Sequence, residues 1–356
     1  MTASKSNTIL LTGGLGYIGS HCAVVLHEAG FRVVLLDNLS NAQASVVDAL
    51  ETLMGERPIF VEADVRDTER VTEVIETHNV QAVMHFAGLK AVGESVEKPL
   101  DYFDCNVGGA ISLLQAMEAT GVRRLVFSSS ATVYGEPQYL PIDESHPTGA
   151  TNPYGRTKLH IEEILRDLAG EGGEMDETTD QADRGAWRVV CLRYFNPVGA
   201  HESALIGENP NDRPNNLMPL ITQVASGRLD KLSVFGDDYE TPDGTGVRDY
   251  IHVMDLAEGH RDALGFLEGK SGWWAMNLGT GRGYSVLELI KAFEAASGVK
   301  VAYEIAPRRS GDVARCYAKT DVSQSLLGWD AQRGLEAMCA SSWAFESHLR
   351  QVRGLN

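Results

Sequence analysis

Cysteine is scarce in this sequence of 356 residues, and its five cysteines follow no metal-binding or disulfide pattern. They are scattered at Cys22, Cys105, Cys191, Cys316 and Cys339. No CxxC pair occurs, and no cysteine stands at metal-ligand spacing from a histidine. We therefore predict that the protein holds no metal and works in a reducing compartment, the cytoplasm.

Long hydrophobic runs are also missing. The first residues carry one lysine and an apolar stretch too short for a signal sequence, and no stretch approaches about 18 consecutive apolar residues. No repeat with a period of about 20 to 50 residues is visible. The sequence thus predicts neither export nor a membrane span, and it argues against solenoids and propellers.

Basic residues are outnumbered, with 31 Lys and Arg against 49 Asp and Glu, which gives a net charge of −18. Such a chain repels nucleic acid and anionic membrane surfaces on average. We expect neither as a partner. A compact cationic pocket can still hold a small phosphate, because net charge governs long-range attraction and not local sites.

Short apolar runs alternate with helical patterns through the first half of the chain. Strands are predicted at 8–11, 31–36, 59–62, 82–86 and 125–127, and helices at 18–29, 66–78 and 110–120. This alternation predicts an α/β fold built on a doubly wound parallel sheet, the Rossmann arrangement.

The pattern changes after a helix predicted to end near residue 168. Residues 170–186 are rich in acids and glycine and predict a solvated surface loop, followed by a strand at 187–194. Helical patterns return at 255–267 and 286–297. We predict a first domain at 1–180 and a smaller C-terminal α/β substrate lobe at 181–356, with segments of the lobe returning to the first domain.

A glycine-rich turn follows the first predicted strand and opens a helix. Gly13, Gly16 and Gly19 form a GxxGxxG pattern, and Tyr17 and Ile18 begin the helical run. Glycine lets the backbone approach a diphosphate, and a helix N-terminus offers it free N–H groups. The pattern indicates a dinucleotide site, with a plain turn between strand and helix as the alternative.

Residues at the ends of the second, third and fourth strands fit the same dinucleotide. Asp37 ends the second strand, where a carboxylate binds ribose hydroxyls and repels a 2′-phosphate, which favours NAD over NADP. Asp64 could bind the adenine edge or be a surface acid. Phe86 and Ala87 end the fourth strand where the dinucleotide should cross, and Lys90 beyond them is either a ligand contact or a solvated lysine.

An acid/base group is predicted at the carboxyl end of the fifth strand. Ser130 ends a run of three serines there, and Tyr154 and Lys158 lie one turn apart on one face of a helix. A nearby ammonium and a positive nicotinamide ring would favour the Tyr154 phenolate. Ser130 could hold a substrate hydroxyl and pass its proton to Tyr154. The alternative is an ordinary amphipathic helix.

These segments together resemble the extended short-chain dehydrogenase/reductases and, within them, the UDP-glucose 4-epimerases. The resemblance runs along nearly the whole chain, and the segments that carry it are TGGLGYIGSH, LLDNLS, HFAGLKAVGES, FSSSATVYGEP, NPYGRTK, LRYFNPVGAH, PNNLMP, GTGVRDYIHV and APRRSGDVA.

The resemblance implies a tightly held NAD, an acid/base pair of Ser130 and Tyr154, and Lys158 on the nicotinamide ribose. Tyr154 would take the proton of the sugar's 4-hydroxyl while the C4 hydride moves to NAD, and the hydride would return to the opposite face of a 4-keto sugar. The further NAD contacts that it implies are Tyr17, Ile18, Asn38, Asp64, Val65, Phe86, Ala87, Lys90, Asn106, Tyr194 and Phe195. The implied UDP-sugar contacts are Lys90, Ser130, Thr132, Tyr154, Asn196, Asn216, Leu217, Ser233, Phe235, Arg248, Arg309, Asp312 and Cys316. A homodimer is also implied.

Part of this assignment agrees with the chemistry of the side chains. Arg248 and Arg309 offer planar donor forks suited to a diphosphate, and Phe235 offers an apolar wall for uracil. Each arginine could instead be a surface ion-pair partner. The side-chain chemistry alone indicates structural roles for Thr132, Asp249 and Asp255.

Two positions depart from the pattern of some members of the family. Cys316 stands where some epimerases carry tyrosine at the wall of the sugar pocket, and the smaller side chain would admit a 2-acetamido group. We therefore expect activity on UDP-GalNAc and UDP-GlcNAc also, unless Cys316 is merely a buried small residue. Cys105 stands where some members have asparagine near the cofactor, and Asn106 could serve instead.

Two other functions use the same fold. A nucleotide-sugar 4,6-dehydratase needs an acid and a base beside the serine position, but Ala131, Thr132 and Val133 follow Ser130 here. A non-catalytic NAD-sensing regulator would not need Tyr154 and Lys158. Both residues are present, so the sequence favours the epimerase.

Overall fold

The computed structural model describes residues 7–174, 185–211, 214, 216–309 and 311–354. The chain forms two compact units that interleave along the sequence. The first unit comprises Met1–Gly135, Thr148–Arg193 and Ala257–Met276, and the second comprises Glu136–Pro147, Tyr194–Leu256 and Asn277–Asn356. The cut predicted at residue 180 falls inside the second segment of the first unit, because the strand that follows it joins the first unit's sheet.

The first unit is built on a sheet of eight strands. They are β1 (Thr8–Thr12), β2 (Arg32–Asp37), β3 (Ile59–Glu62), β4 (Val80–His85), β5 (Arg124–Ser130), β6 (Gly173–Glu174), β7 (Arg188–Tyr194) and β11 (Lys270–Leu278). Their spatial order is β3-β2-β1-β4-β5-β7-β11-β6. The pairs from β3 to β5 are parallel, and the short edge strand β6 is antiparallel to its neighbour β11. The doubly wound parallel sheet is therefore confirmed.

Helices connect these strands. They are α1 (Tyr17–Glu28), α2 (Val46–Met54), α3 (Thr68–Thr77), α4 (Val92–Glu97), α5 (Pro99–Tyr102), α6 (Gly109–Thr120), α7 (Pro153–Ala169) and α9 (Val253–Phe266). A π-helical segment, Phe103–Gly108, joins α5 to α6, and a 3₁₀ turn, Ala131–Tyr134, follows β5. The helices predicted at 18–29, 66–78 and 110–120 are confirmed as α1, α3 and α6.

Buried strands and helix ends explain this arrangement. All five residues of β1 are buried, as expected for a central parallel strand covered on both faces. Asn152 caps α7 by accepting a hydrogen bond from the Gly155 N–H, and Gly121 ends α6 in the left-handed conformation. Leu10, Val83 and Phe127 belong to the apolar core of this unit.

The second unit contains two smaller sheets. Strands β8 (Asn196–Val198), β10 (Val247–His252), β12 (Gly283–Ser285) and β14 (Arg315–Cys316) form one, and β9 (Leu232–Phe235) pairs in parallel with β13 (Tyr303–Ala306) in the other. Its helices are α8 (Leu217–Ala225), α10 (Val286–Ser297), α11 (Asp321–Leu327) and α12 (Leu335–Val352). Leu289, Phe293 and Met338 belong to its core. The smaller α/β lobe is confirmed.

The acidic stretch at 170–186 is not entirely a loop. Gly173–Glu174 form β6, which pairs with Lys270 and Ser271 of β11. Gly172 packs against Trp274, so closely that an added Cβ would lie 2.4 Å from its ring. The prediction of a loop is therefore wrong for residues 173–174, and residues 175–184 lie outside the described residues. Across the described ranges, no helix combines the length and the apolar character that crossing a bilayer requires.

Candidate active site

The glycine turn between β1 and α1 packs against neighbouring backbone at distances that leave no room for side chains. Gly13 has a φ of +68°, and a Cβ there would lie 2.7 Å from the Ala87 nitrogen. A Cβ on Gly19 would lie 2.4 Å from the Gly13 carbonyl oxygen. Gly16 precedes α1 without a side-chain cap, and the first turn holds no acidic residue. This is a cradle that side chains would fill, at a helix N-terminus suited to an anion.

Asp37 ends β2 beside this turn and helps to hold it. One carboxylate oxygen accepts the Leu15 N–H at 3.1 Å, and the other accepts the Leu39 N–H at 2.9 Å. Burial raises the pKa of Asp37, and the backbone donors act in the opposite direction. A carboxylate has about four acceptor sites. The side chain therefore fixes the turn and still has lone pairs for ribose hydroxyls.

The Asp64 carboxylate already has several hydrogen-bond partners within the chain, which the sequence does not indicate. Its carboxylate accepts hydrogen bonds from Arg66 Nε and Nη2 and from the Asn38 amide at 2.8 to 2.9 Å. The Arg66 side chain holds the pKa of Asp64 well below its usual range. Val65 is buried against Gly109. The contacts of Asp64, Val65 and Asn38 with a dinucleotide stay predictions.

The loop after β4 is fixed by Asn106. The Asn106 amide oxygen accepts the Leu89 N–H at 2.7 Å, and its nitrogen donates to the Leu89 carbonyl and to Thr157 Oγ1 at 3.0 Å each. The Asn106 amide thus uses its oxygen and its nitrogen to hold this loop in place. Phe86 is half-buried against the His260 ring, and Lys90 is exposed.

Ser130 and Tyr154 are brought together at the carboxyl edge of the sheet. Desolvation raises the pKa of Tyr154 to about 12, and the Ser130 hydroxyl beside it acts in the opposite direction. Thr132 donates to Ser130 Oγ from its hydroxyl at 3.0 Å and from its N–H at 3.2 Å. Thr132 therefore orients Ser130.

Lys158 lies one turn after Tyr154, as predicted, but contacts a backbone carbonyl. Its Nζ donates to the Ser128 carbonyl at 2.7 Å and lies 4.8 Å from the centre of the Phe127 ring. Burial lowers the pKa of Lys158 to about 8, with Cys105, Glu162 and Cys191 acting in the opposite direction. Within the chain alone Tyr154 is therefore a neutral phenol. Desolvation raises its pKa by more than the Lys158 charge, which we expect to favour the phenolate, can lower it.

The sequence interpretation missed two buried charged residues beneath this group. Glu162 is one turn beyond Lys158 on α7, and Arg193 is on β7. They form an ion pair with both side chains almost fully buried. The sequence does contain a signal, since Glu162 occupies the same helix face as Tyr154 and Lys158 at four-residue spacing.

The second unit brings five of the predicted UDP-sugar contacts together. Arg248 on β10 is in register with Cys316 on β14. Asp312 lies 3.9 Å from Arg248 and accepts a hydrogen bond from Arg309 Nε at 3.2 Å. The Arg309 guanidinium lies 4.4 Å from the centre of the Phe235 ring. Two cationic forks, a carboxylate, an aromatic face and a small thiol thus form one cluster.

The other predicted contacts of this unit lie on different elements. Asn216 precedes α8 and donates to Glu208 at 2.6 Å, and Leu217 begins that helix half-buried. Ser233 lies two residues before Phe235 on β9. Asn196 is exposed at the start of β8, after the buried Tyr194 and Phe195. The ligand contacts of these residues stay predictions.

Asp249 and Asp255 are structural. Asp249 is fully buried and accepts the N–H groups of Thr280, Gly281 and Ala318. Asp255 accepts the N–H groups of Gln332 and Arg333. These contacts confirm the role expected from the sequence.

The residues of the first unit fit a bound dinucleotide. The uncapped helix start and the glycine cradle suit its diphosphate, and the partly occupied Asp37 carboxylate suits a ribose diol. NAD supplies a reversible hydride acceptor when it is bound. The Ser130 and Tyr154 hydroxyls then lie at the strand edge where open α/β sheets bind their ligands.

Comparison with known proteins agrees with this geometry. Residues 9–279 match the NAD dependent epimerase/dehydratase family. The UDP-glucose 4-epimerase of Bacillus subtilis is 55% identical over 95% of this chain and 96% of its own. A crystal structure of the enzyme from Stenotrophomonas maltophila, with bound NAD and formylated UDP-arabinopyranose, is 49% identical, covers 97% of this chain and 99% of its own, and has a TM-score of 0.91. The UDP-Glc/GlcNAc 4-epimerase of Campylobacter jejuni is 35% identical over 96% of this chain and 99% of its own, with a TM-score of 0.80. The chain belongs to the NAD dependent epimerase/dehydratase family, in the group of the UDP-glucose 4-epimerases.

Proposed function

We propose that this protein is a UDP-glucose 4-epimerase that interconverts UDP-galactose and UDP-glucose through a 4-keto intermediate. The first unit would hold NAD, and the second would hold the UDP part of the substrate. The observation that carries this proposal is the position of the Ser130 hydroxyl beside Tyr154, with Lys158 one turn away. In this family that arrangement suits the removal and return of one hydroxyl proton.

The chain's own groups would perform the proton transfer. Ser130, oriented by Thr132, would hold the 4-hydroxyl of the sugar within hydrogen-bond reach of Tyr154. Tyr154 would accept the proton and later return it. Because one residue both takes and gives the proton, the reaction leaves no net change in protonation. The positive charge of Lys158 and of the nicotinamide ring would offset the desolvation that now disfavours the phenolate.

The second unit would hold the nucleotide. Arg248 and Arg309 would bind the diphosphate, Asp312 a ribose hydroxyl, and Phe235 would contact the uracil. The cluster that these residues form supports this assignment. It also supports discrimination in favour of a nucleotide-linked sugar over a free one, since a free sugar has no diphosphate for the two arginines to bind.

We further propose activity on UDP-GalNAc and UDP-GlcNAc. Cys316 has a small side chain, and its register with Arg248 would place it next to the bound diphosphate sugar. A relative that acts on both UDP-Glc and UDP-GlcNAc supports the chemistry. The space at Cys316 would admit the acetamido group.

We propose a homodimer because large apolar residues on helices α4, α5 and α6 are exposed. Val96, Leu100 and Ile111 are large apolar residues there, with exposed fractions of 63%, 81% and 41%. A second copy of the chain would cover them. Sedimentation should give a dimer for the parent and a monomer for Leu100→Lys, whereas a monomeric parent would refute the proposal.

Proton NMR tests the catalytic proposal. Purified protein is incubated without added cofactor, separately with UDP-galactose and UDP-GalNAc, and the C4 epimers are followed. Conversion of UDP-galactose is expected, and Tyr154→Phe should abolish it while the protein retains NAD. If neither sugar reacts even after NAD is added, the epimerase proposal fails, and a dehydratase or a non-catalytic NAD-binding regulator becomes the better explanation. Conversion of UDP-galactose alone would refute only the broader specificity.

A further inference from the structure

A buried ion pair beneath the catalytic residues has no part in the chemistry described so far. Glu162 and Arg193 are 2% and 5% exposed at their side chains. Arg193 Nε donates to both carboxylate oxygens at 3.0 and 3.1 Å, and its Nη2 donates to Oε2 at 2.5 Å. The pair therefore joins helix α7 to strand β7 in a fixed orientation.

Helix α7 contacts the three serines of β5 from three successive turns. Tyr154 lies beside the Ser130 side chain, and Lys158 donates to the Ser128 carbonyl. One turn later, Glu162 accepts a hydrogen bond from the hydroxyl of Ser129. The residue that precedes the catalytic serine is thus held by the buried ion pair.

The same pair also holds the chain after Ser130. Arg193 Nη1 donates to the Tyr134 hydroxyl at 3.2 Å, and its guanidinium lies 5.0 Å from the centre of the Tyr134 ring. Tyr134 ends the 3₁₀ turn that follows Ser130. Ser129 and Tyr134 therefore fix the chain on both sides of Ser130 through one ion pair.

Stability alone does not account for such a pair. Two charges removed from water lose their hydration, and apolar residues of similar volume often stabilise a protein equally well or better. A buried pair with several directional hydrogen bonds does fix a local geometry. That geometry here includes the Ser130 hydroxyl.

We propose that Glu162 and Arg193 are positioning residues that set the Ser130 hydroxyl against Tyr154 for proton transfer. The inference rests on the proposed epimerase function. Proton transfer requires heavy atoms about 2.6–3.2 Å apart, and a displacement of about 1 Å can reduce the rate about 100-fold. Neither residue needs to touch the substrate for this effect.

The test replaces the pair without leaving one charge unpaired. The double variant Glu162→Leu with Arg193→Met should fold and retain its NAD, with a somewhat lower midpoint temperature because the buried Ser129 and Tyr134 hydroxyls lose a partner. Its kcat for UDP-galactose should fall about 10- to 100-fold, while KM stays within about twofold. Glu163→Gln is the matched control, since Glu163 is the exposed neighbour on the same helix, and it should behave as the parent.

A second comparison separates positioning from general damage. In a Ser130→Ala background, the double variant should cause almost no further loss of kcat, because the pair acts through the serine hydroxyl. A pair that only supports the fold would lower kcat again. If the double variant does not fold, Ser129→Ala with Tyr134→Phe replaces it, and the same loss of kcat is expected.

The outcomes are distinct. A folded variant with the parent's kcat, or an undiminished further loss in the Ser130→Ala background, overturns the positioning inference and leaves the epimerase proposal intact. A parent that does not epimerise UDP-galactose overturns the epimerase proposal and this inference with it. A selective loss of kcat that depends on Ser130 supports both.

Discussion

The Asn106 side-chain amide is hydrogen-bonded to both the N–H and the carbonyl of Leu89. Its amide oxygen accepts the Leu89 N–H at 2.7 Å, and its amide nitrogen donates to the Leu89 carbonyl at 3.0 Å. The two residues are separated by 17 positions in the chain. This contact links the π-helical segment before α6 to the loop that follows β4, where the dinucleotide is expected to cross.

Replacing Asn106 by alanine should therefore weaken both the fold and NAD binding. Three hydrogen bonds are lost, and the Leu89 N–H and carbonyl lose their Asn106 partner, whereas the Thr157 hydroxyl keeps its bond to the Tyr154 carbonyl. We expect a loss of about 2–4 kcal/mol in the free energy of unfolding and a lower NAD content after purification. Urea unfolding and nucleotide extraction measure the two effects. Asp101→Asn, an exposed change on α5, is the control. An unchanged NAD content would show that the loop does not support the cofactor.

The sequence predicts the local parts of this site better than the long-range ones. The glycine turn and the pair of Tyr154 and Lys158 are set by spacing within one turn or helix, and the structure has them where the spacing predicts. The hydrogen bonds between Asn106 and Leu89 depend on how a π-helical segment packs on a distant loop. Local spacing cannot show such a contact, and it equally misses the pairing of Glu162 with Arg193.

His85 should make the stability of the fold sensitive to acid. Its Nδ1 lies 2.7 Å from Thr12 Oγ1, and its ring stacks on Phe127, the ring that also faces Lys158. Burial, and to a smaller extent the Lys158 charge, lowers the pKa of His85 from 6.5 to about 3. The unfolded chain binds a proton below about pH 6.5 and the folded chain does not, so stability falls as the pH decreases from 6.5 towards 3.

The variant His85→Gln should lose less stability in acid than the parent. Each unit of pKa difference corresponds to about 1.4 kcal/mol, so at about pH 4.5 the parent should have lost about 2–3 kcal/mol more than the variant, relative to about pH 7.5. Urea unfolding at both pH values gives this difference. His160→Gln, at an exposed position, should match the parent. Parallel acid losses in His85→Gln and the parent would contradict the assignment.

Arg309 should contribute to binding rather than to catalysis. Its guanidinium lies over Phe235 and donates to Asp312, and Asp312 in turn lies 3.9 Å from Arg248. Arg309→Met should raise KM for UDP-galactose at least about 10-fold, because a hydrogen bond to a charged group contributes about 1.5–3 kcal/mol. The value of kcat should stay within about twofold.

The neighbouring arginine is a matched control for this prediction. Arg308 lies over Tyr239 at 4.0 Å and binds Asp238, so it has its own aromatic and acidic partners. Arg308→Met should leave KM close to that of the parent. Equal increases in KM for both variants would indicate a general electrostatic effect instead of a diphosphate contact. Steady-state kinetics at constant ionic strength makes the comparison.

The cluster in the second unit shows what a sequence can and cannot indicate. Each of Phe235, Arg248, Arg309, Asp312 and Cys316 was predicted through resemblance, because no local pattern distinguishes a ligand-binding arginine from a surface one. The structure adds the register of Arg248 with Cys316 and the stacking of Arg309 on Phe235. Both depend on strands that are distant in sequence.

The size of the residue at position 316 should decide which sugars react. Burial raises the pKa of the Cys316 thiol to about 11, so the group stays neutral and acts through its volume. Cys316→Tyr should reduce kcat/KM for UDP-GalNAc at least about 10-fold relative to UDP-galactose, since a bulky side chain would occupy the space for the acetamido group. Cys316→Ser keeps the small volume and should convert both sugars like the parent. Competition between the two sugars in one NMR sample gives the ratio directly, and an unchanged ratio in Cys316→Tyr would mean that Cys316 is only a small buried residue beside Arg248.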